Sequence, residues 1–514
     1  MSIQGGVASA RVSRTAPIAR SIWLAWLLGA SVLSGLVIVL ASSASPTWIV
    51  LILAAGAAAA ALTWSGHPRT FLLHGYLFTL PIYLTKTLIA RTGVYAPQLA
   101  ISLADLFLLP LIGLWLWDHW FVSRRPIHRP TGFRVTLFHT GWIWVSAFMA
   151  VQRSGGVSAA VTFTKYWLVY LILADLLDTP ARLRGALIVI GAGVVPNLLF
   201  TAAQFVTHQP LMIQGAKYTT LGTNIVFSNA GGVTAFRPSA LLGHPNVLGA
   251  YATILLPTLV ALVLVGRRST GLRTAWVAGG LALAAGFMLV VSLSRGGWIA
   301  TGCALLFLMS VGWRRGLVSG RHVATVALAG AFGLAAVVAI YPAALLRITE
   351  SDARSGESRL VMIDQALLII RRHPTVGVGL GGYNGAAQVN IPHSFATIST
   401  AFQDKIKEGV VHNKFLLVFA EQGAIGLVLF LAVYAVFLRA YLRQKEWRDR
   451  ANGALALGLA AAIVAQLVAY LFDHFYADVR VESIWVVFGL LAASLRLQTA
   501  AAAERGRTPM ARAA

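Results

Sequence analysis

Residues 274–313 read TAWVAGGLALAAGFMLVVSLSRGGWIATGCALLFLMSVGW. Two apolar runs, each close to the roughly 20 residues that cross the hydrocarbon core of a bilayer as a helix, are joined here by a short polar segment that carries Arg295. The whole chain has the same character, because 58% of its 514 residues are hydrophobic and only 11% are charged. Helices satisfy their own backbone hydrogen bonds in lipid. The sequence therefore predicts an all-α, polytopic transmembrane bundle.

Apolar runs of this kind recur along the chain, and we predict about 12–14 spans, some adjacent pairs being short enough to merge. The runs in the first half lie near 22–41, 46–64, 70–90, 99–119, 135–152, 158–176 and 183–206. Those in the second half lie near 242–265, 274–293, 297–313, 322–341, 414–438, 453–473 and 480–497.

The net charge of +24 is explained by membrane topology rather than by a nucleic-acid partner. Arginine and lysine are concentrated in alternate connections, such as 124–134 and 439–450, whereas the connections between them hold single cations such as Arg295. Positive connections stay in the cytoplasm. We therefore predict a multi-pass membrane protein with both termini cytoplasmic and its two longest connections outside the cytoplasm.

This topology predicts a layout of seven parts. They are a basic cytoplasmic N-terminus (1–21), N-terminal transmembrane helices (22–206), an external loop (207–241), central transmembrane helices (242–340), a large external loop (341–413), C-terminal transmembrane helices (414–497) and a cytoplasmic tail (498–514). Cys303 is the only cysteine, so the sequence rules out an intrachain disulfide.

Four polar segments on the predicted external side hold the candidate chemistry. The first contains Arg237, His244 and Asn246 and leads into an apolar run. Asn246 is either a functional residue or the cap of the helix that follows it, because an asparagine side chain at a helix start can accept a free backbone amide.

The second segment is Ser-Leu-Ser-Arg-Gly at 292–296, between two spans. An arginine in so short a connection needs a polar partner or a ligand, unless it reaches out to lipid headgroups. We favour contact with an anion for Arg295.

The third segment opens with Glu-Ser-Arg at 357–359 and ends in a glycine run at 377–382. Leu360, Ile363, Leu367 and Ile370 recur at helical spacing, which predicts a short helix lying against the membrane surface. The glycine run is not followed by the Lys-Ser/Thr of a phosphate-binding loop, so a tight, closely packed turn is the simpler interpretation.

The fourth segment is Val-His-Asn-Lys at 411–414, followed by Glu-Gln-Gly at 421–423. It places His412 at the external mouth of a span. Histidine exchanges a proton near neutral pH, which suits a general base, although a lone histidine is as often a satisfied interfacial residue.

Taken together and in this order, the four segments resemble the O-antigen ligase and polymerase superfamily over residues 237–440. The resemblance implies an inverting glycosyltransferase that takes a glycan from an undecaprenyl-pyrophosphate carrier on the periplasmic side of the bacterial inner membrane. It makes the external loop 341–413 a periplasmic catalytic loop. It also implies that Arg295 and Arg359 contact the donor pyrophosphate and that His412 is the catalytic base. Arg237, His244, Asn246 and Asn413 are further candidates for substrate contact.

The resemblance leaves the acceptor open. Lipid A core would make the protein a ligase, a growing carrier-linked polysaccharide would make it a polymerase of surface or exopolysaccharide, and a protein hydroxyl would make it an O-oligosaccharyltransferase. Guanidinium groups can stabilise a pyrophosphate leaving group by themselves, so we expect no metal and no cofactor. The alternative is a metal site formed by Glu350, Asp352 and Glu357, which are close together in the sequence.

The hypothesis from a different class is a polysaccharide-lipid transporter or flippase. It would require charged residues along a path through the membrane, and Lys86, Asp105 and Lys165 are the candidates in this sequence.

Overall fold

The computed structural model describes residues 66–89, 99–151, 153–209, 211, 226–228, 234–269, 272–341, 353–397, 403, 406, 409–444, 447, 449–475 and 479–507. The chain divides into two compact units. One comprises Met1–Phe71 with Ile213–Ala216, and the start of the first described helix belongs to it. The other comprises Leu72–Met212 and Lys217–Ala514 and contains all the residues discussed below.

Helices dominate the first half of the described chain. In order, the elements are α1 (Pro68–Thr79), β1 (Thr85–Ile89), β2 (Leu99–Ser102), α2 (Asp105–Trp117) with a π-helical extension (Asp118–Val122), α3 (Phe133–Met149), α4 (Arg153–Leu176) and α5 (Pro180–Thr207). The first two strands pair antiparallel. Thr179 caps α5 by accepting the backbone amide of Arg182, and proline occupies its first position, as is common at helix starts.

The second half contains the polar insert between two groups of long helices. The elements are β3 (Val226–Ser228), β4 (Thr234–Phe236), a 3₁₀ turn (Ala240–Leu242), α6 (Pro245–Ser269), α7 (Leu272–Val291), α8 (Arg295–Arg314), α9 (Gly320–Ile340), α10 (Ala353–Arg372), α11 (Tyr383–Val389), a 3₁₀ helix (His393–Thr397), α12 (Lys414–Arg443), α13 (Arg450–Ala469) and α14 (Val479–Arg507). Helix α13 packs against both α6 and α8.

The predicted all-α polytopic bundle is confirmed. Eight helices in the described part of the chain are long and apolar enough to cross a membrane. They are α2 with its extension, α4, α5, the Pro245–Val265 part of α6, α7, α8, α12 and α13.

Two predicted spans differ in the structure. The run 70–90 divides into the 12-residue α1 and the strand β1, because Pro81 comes two residues after the end of the helix and proline cannot continue the hydrogen-bonding pattern. The run 99–119 begins as β2, and α2 starts only at Asp105. Helix α14 continues to Arg507, past the predicted end of the last span. The predicted spans 22–41 and 46–64 lie outside the described residues.

The predicted helix is α10, and its apolar residues divide between the core of the insert and the protein surface. Val361 is buried in a core shared with α11 and the start of α12. Of the four residues that predicted the helix, Ile370 belongs to this core and Ile363 packs against it. Leu360 and Leu367 are 65% and 38% exposed. The position of the helix against the membrane surface stays a prediction.

The segment before α11 docks into a break in α12, and this interlock holds the insert on the membrane bundle. Gly423 has φ 67° and ψ −171° inside α12, a combination that essentially only glycine adopts. The break frees the carbonyls of Ala420 and Glu421, which accept the amides of Val378 (3.0 Å) and Gly379 (2.8 Å). In return, the amide of Ala424 donates to Pro374 at 2.9 Å.

The glycines of this turn are required by space as well as by backbone angle, which confirms the predicted close-packed turn. A Cβ atom on Gly377 would overlap the backbone of Glu421, one on Gly379 would overlap Ala150, and one on Gly423 would overlap the carbonyl of Thr375. The two backbones can therefore approach this closely only because these three residues have no side chain.

We expect Gly423→Ala to destabilise the protein by roughly 3 kcal/mol or more, because it adds backbone strain to a steric overlap. The measurement is the thermal unfolding temperature in detergent. The matched control is Gly385→Ala in α11, where a Cβ meets open space and should shift stability by about 1 kcal/mol or less. Equal melting of the two variants would show that the interlock does not support the fold.

Candidate functional site

Asp473 lies at the centre of the site, in the short connection that follows α13. Its Oδ1 atom is 3.5 Å from Nδ1 of His412 and 3.2 Å from Nδ1 of His474. The carboxylate side chain is 10% exposed, while the His412 side chain is 31% exposed. One buried carboxylate therefore faces two imidazole rings, of which His412 is the more open to solvent.

A chain of hydrogen bonds continues from Asp473 into the membrane bundle. Asn246 donates through Nδ2 to Oδ2 of Asp473 at 3.3 Å. Its Oδ1 atom accepts from Nη2 of Arg237 at 2.7 Å, and Nε of Arg237 donates to the backbone oxygen of Ser292 at 2.9 Å. The structure thus brings three of the four predicted segments together: those of Arg237, of Ser292 and of His412.

Arg295 begins α8 immediately beside this network. Ser294 caps the helix by accepting the amide of Gly297 at 3.3 Å. A Cβ on Gly296 would lie 2.7 Å from Cβ of Phe472, the residue that precedes Asp473. The start of α8 therefore contacts the Asp473 connection directly. Free amides and a guanidinium at a helix N-terminus both favour a bound anion.

Arg359 is connected to the site through the hydrophobic core of the insert. It lies on α10, two residues before Val361, and Val361 is buried in the same cluster as Val411, the neighbour of His412. The Arg359 side chain is half-buried. The contacts of the described residues include none between the side chains of Arg359 and His412. Together, the interlock and this hydrophobic core hold α10 in place relative to the start of α12.

Two of the candidate residues cap helices. His244, rather than Asn246, serves the start of α6, because its Nδ1 atom accepts the amide of Asn246 at 3.0 Å. Of the two alternatives for Asn246, the structure therefore supports the one in which it does not cap the helix, since its side-chain amide joins Arg237 to Asp473. Asn413 accepts the amide of Leu416 at 3.1 Å and donates to the carbonyl of Leu471 at 3.3 Å, so it ties the start of α12 to the Asp473 connection.

The electrostatics of the site favour an ionised Asp473. Burial by itself raises the pKa of this carboxyl, but the facing His412 and His474 rings outweigh burial and hold the pKa of Asp473 well below its usual range. A carboxylate kept negative in this way stabilises a positive charge on a neighbouring imidazole.

This geometry suits a histidine base. When Nδ1 of His412 carries the proton that faces Asp473, its Nε2 atom keeps a lone pair that can accept a proton from a substrate hydroxyl. A carboxylate that fixes the tautomer and orientation of such a base also stabilises the imidazolium formed during the reaction. His412, Asp473 and His474 together also form a donor set that can hold a metal ion, with ligand atoms within 4.8 Å of one another.

Asp473 and His474 were missed from the sequence. They follow an apolar run as the pair Asp-His, and ionisable residues at the end of a span are a signal of function. The resemblance to the superfamily covers residues 237–440, so this pair lies beyond the segments that carry it.

Comparison with known proteins agrees with three of the four segments. Residues 279–431 match the family model described as O-antigen ligase. This match supports membership of the O-antigen ligase and polymerase superfamily. The matched range includes Arg295, Arg359 and His412, whereas Arg237, Asn246 and Asp473 lie outside it. No curated protein matches the sequence.

Membership of this superfamily supports an O-antigen ligase-like function and a glycosyltransferase-like enzyme. It implies lipid-linked polysaccharide substrates and contact with membrane lipids. With the eight apolar helices, it indicates a multi-pass membrane protein.

We expect Asp473→Asn to slow glycan transfer by about 10²-fold, because the amide keeps the shape of the side chain but no longer stabilises a charged His412. Because the native pKa of Asp473 is lowered, its charge stabilises the fold above the pKa that it has in the unfolded chain, and this is lost as pH falls through the native value. The variant should therefore also melt at a lower temperature at neutral pH.

The rate is measured by transfer of labelled glycan at a temperature where both proteins are folded. Asp364→Asn is the control, because Asp364 is an exposed acid on α10 outside the site. A rate for Asp473→Asn equal to that of this control would contradict the role of Asp473.

Proposed function

We propose that the protein is an inverting membrane glycosyltransferase that transfers a glycan from an undecaprenyl-pyrophosphate carrier to an acceptor hydroxyl on the periplasmic side of the bacterial inner membrane. The observation that carries the proposal is the hydrogen-bonded chain from Arg237 through Asn246 to Asp473, whose carboxylate faces His412 at 3.5 Å. This chain lies directly against the N-terminus of α8. It combines a base with an anion-binding helix end, as this reaction requires.

In this proposal, Arg295 and Arg359 bind the pyrophosphate of the donor. Departure of the pyrophosphate leaves negative charge on its oxygens, and guanidinium groups with the amides of a helix N-terminus stabilise that charge as it develops. Arg237 is buried, with its guanidinium bound to Ser292 and Asn246. We therefore assign it the role of holding Asn246 in place rather than of binding the donor.

His412 is the base that activates the acceptor hydroxyl. Its Nε2 atom takes the proton from the acceptor hydroxyl while that oxygen bonds to the anomeric carbon, and the bond from this carbon to the pyrophosphate oxygen breaks. Attack from the face opposite the leaving group inverts the anomeric configuration. Asp473 holds the Nδ1–H side of the ring and balances the positive charge on the protonated imidazole. In this scheme no step requires a metal or a cofactor.

The arrangement of the connections supports the proposed membrane orientation. Arg315 donates to the carbonyls of Tyr441 and Leu442, and Arg450 donates to the carbonyl of Gly316, so arginine-rich connections predicted to be cytoplasmic contact one another. The His412 site lies at the opposite ends of α8, α12 and α13, since it is built from the starts of α8 and α12 and the end of α13. Together with the positive-inside pattern, this arrangement supports a periplasmic position for the site.

The charges that would suit a transporter are engaged with one another instead. Lys165 lies 2.9 Å from Oδ1 of Asp105 and 3.8 Å from Oε2 of Glu482. Tyr76 donates to Glu482 at 2.9 Å, and Ser102 donates through its hydroxyl to Asp105 at 2.8 Å. Lys86 lies on β1, paired with Ile101. A closed ion cluster of this kind ties α1, α2, α4 and α14 together and favours the enzyme over the transporter.

We expect Lys165→Met to lower stability by about 3–5 kcal/mol, because it leaves the buried Asp105 and Glu482 carboxylates without their cation. Thermal unfolding in detergent measures the effect. The control is Arg182→Met, which removes an exposed pair with Asp178 worth about 1 kcal/mol or less. A variant that melts like wild type but has lost activity would contradict this structural role.

The deciding experiment supplies purified protein in lipid nanodiscs with carrier-linked repeat units, with and without lipid A core. Lengthening glycan ladders without core indicate a polymerase, and transfer only onto core indicates a ligase. A third arm with a protein acceptor detects O-oligosaccharyl transfer. Failure to transfer glycan to any of the three acceptors contradicts the proposed function.

We expect His412→Ala and Arg359→Lys to reduce transfer by about 10²-fold or more, since the first removes the base and the second removes bidentate binding of phosphate oxygens. Matched controls are His393→Ala, an exposed histidine of the same insert, and Arg371→Lys, an exposed arginine on the same helix. Losses of the same size in the controls would show that the site has been assigned wrongly.

A further inference from the structure

The proposed transfer uses His412 and Asp473 but leaves His474 without a task. Its ring lies 5.1 Å from the ring of His412, centroid to centroid, and presents Nδ1 to the same oxygen, Oδ1 of Asp473. The two nitrogen–oxygen separations, 3.5 and 3.2 Å, exceed the roughly 2.7–2.9 Å of a good charge-assisted hydrogen bond. Convergence of two rings on one carboxylate oxygen at these distances needs another explanation.

The distances fit the edges of a metal coordination polyhedron. With metal–nitrogen and metal–oxygen bonds of about 2.0–2.2 Å, neighbouring ligand atoms in a tetrahedral zinc site are about 3.3 Å apart. The Nδ1–Oδ1 separations in this site are 3.2 and 3.5 Å, and all ligand atoms of the three residues lie within 4.8 Å of one another. Small rotations of the rings would close the set on one ion.

The surroundings of the three residues resemble those of a metal site. Imidazole and carboxylate are ligands that suit zinc and other divalent transition metals. Asn246 donates to Oδ2 of Asp473 at 3.3 Å, which leaves Oδ1 directed at the rings, as outer hydrogen bonds do for metal-binding carboxylates. His412 is 31% exposed, so solvent reaches the position where a fourth ligand would bind.

We propose that His412, Asp473 and His474 form a binding site for a divalent transition-metal ion such as Zn²⁺, and that the bound ion inhibits the enzyme. The inhibitory effect of the ion, unlike its binding, rests on the proposed function. A metal on Nδ1 of His412 uses the lone pair of that nitrogen, so the neutral ring carries its proton on Nε2. The base requires the opposite tautomer, with the proton on Nδ1 and the lone pair on Nε2. Metal binding and proton acceptance at His412 are therefore mutually exclusive.

The binding experiment does not depend on glycan transfer. Purified protein in detergent is stripped with a chelator and titrated with Co²⁺, whose visible absorption reports coordination by nitrogen and oxygen ligands, and Zn²⁺ is then added as a competitor. We expect one ion per chain for wild type and for the His393→Ala control. For His474→Ala we expect affinity at least tenfold weaker, with His474→Gln as a second variant and thermal unfolding to verify the fold of both.

The inhibition experiment uses the transfer assay with the same proteins. We expect Zn²⁺ to inhibit wild type at least tenfold, with recovery after chelation, and we expect the transfer that His474→Ala shows without metal, whatever its rate, to be unchanged by Zn²⁺. Absence of the Co²⁺ spectrum in wild type, or equal affinity in wild type and His474→Ala, overturns the site. Undiminished transfer by the metal-bound protein overturns the inhibition. A protein that binds Co²⁺ through His474 but transfers no glycan contradicts the proposed function and leaves the metal site standing.

Discussion

The break in α12 at Gly423 is the constraint on which the site depends. An interrupted helix in a membrane protein has free carbonyls and amides that cannot be left in lipid, and the turn 374–379 satisfies them with hydrogen bonds from Val378 and Gly379. The same contact attaches the insert to the bundle at a fixed register. Arg359 on α10 and His412 at the start of α12 are thereby carried on one packed body.

The site itself is assembled from helix ends rather than from any one element. The starts of α6, α8 and α12 and the connection after α13 each contribute one or two polar groups, and the chain from Arg237 to Asp473 joins them. Buried polar groups of this kind require partners, and here each partner comes from a different part of the sequence. Such networks restrict the positions of their members, which is what a base and an anion site need.

Sequence reasoning reached the fold class, the superfamily and three of the segments that meet at the site, because apolar run length and motif order are local properties of the chain. It failed where the answer depends on which surfaces meet. Within one predicted stripe of α10, Ile370 is buried whereas Leu360 is exposed, because the residues that cover the helix come from other parts of the chain. The sequence left both a functional and a capping role open for Asn246, because nothing in it places this residue beside Asp473.

The amino-acid sequence by itself determined that this chain is a helical membrane protein, since burial of apolar runs in lipid is a property of composition and length. It also determined that the chemistry lies in the polar connections. The partner of His412 was decided only by the tertiary structure. Asp473 is 61 positions away along the chain, and only the packing of α12 against α13 and the start of α8 brings that carboxylate to the imidazole.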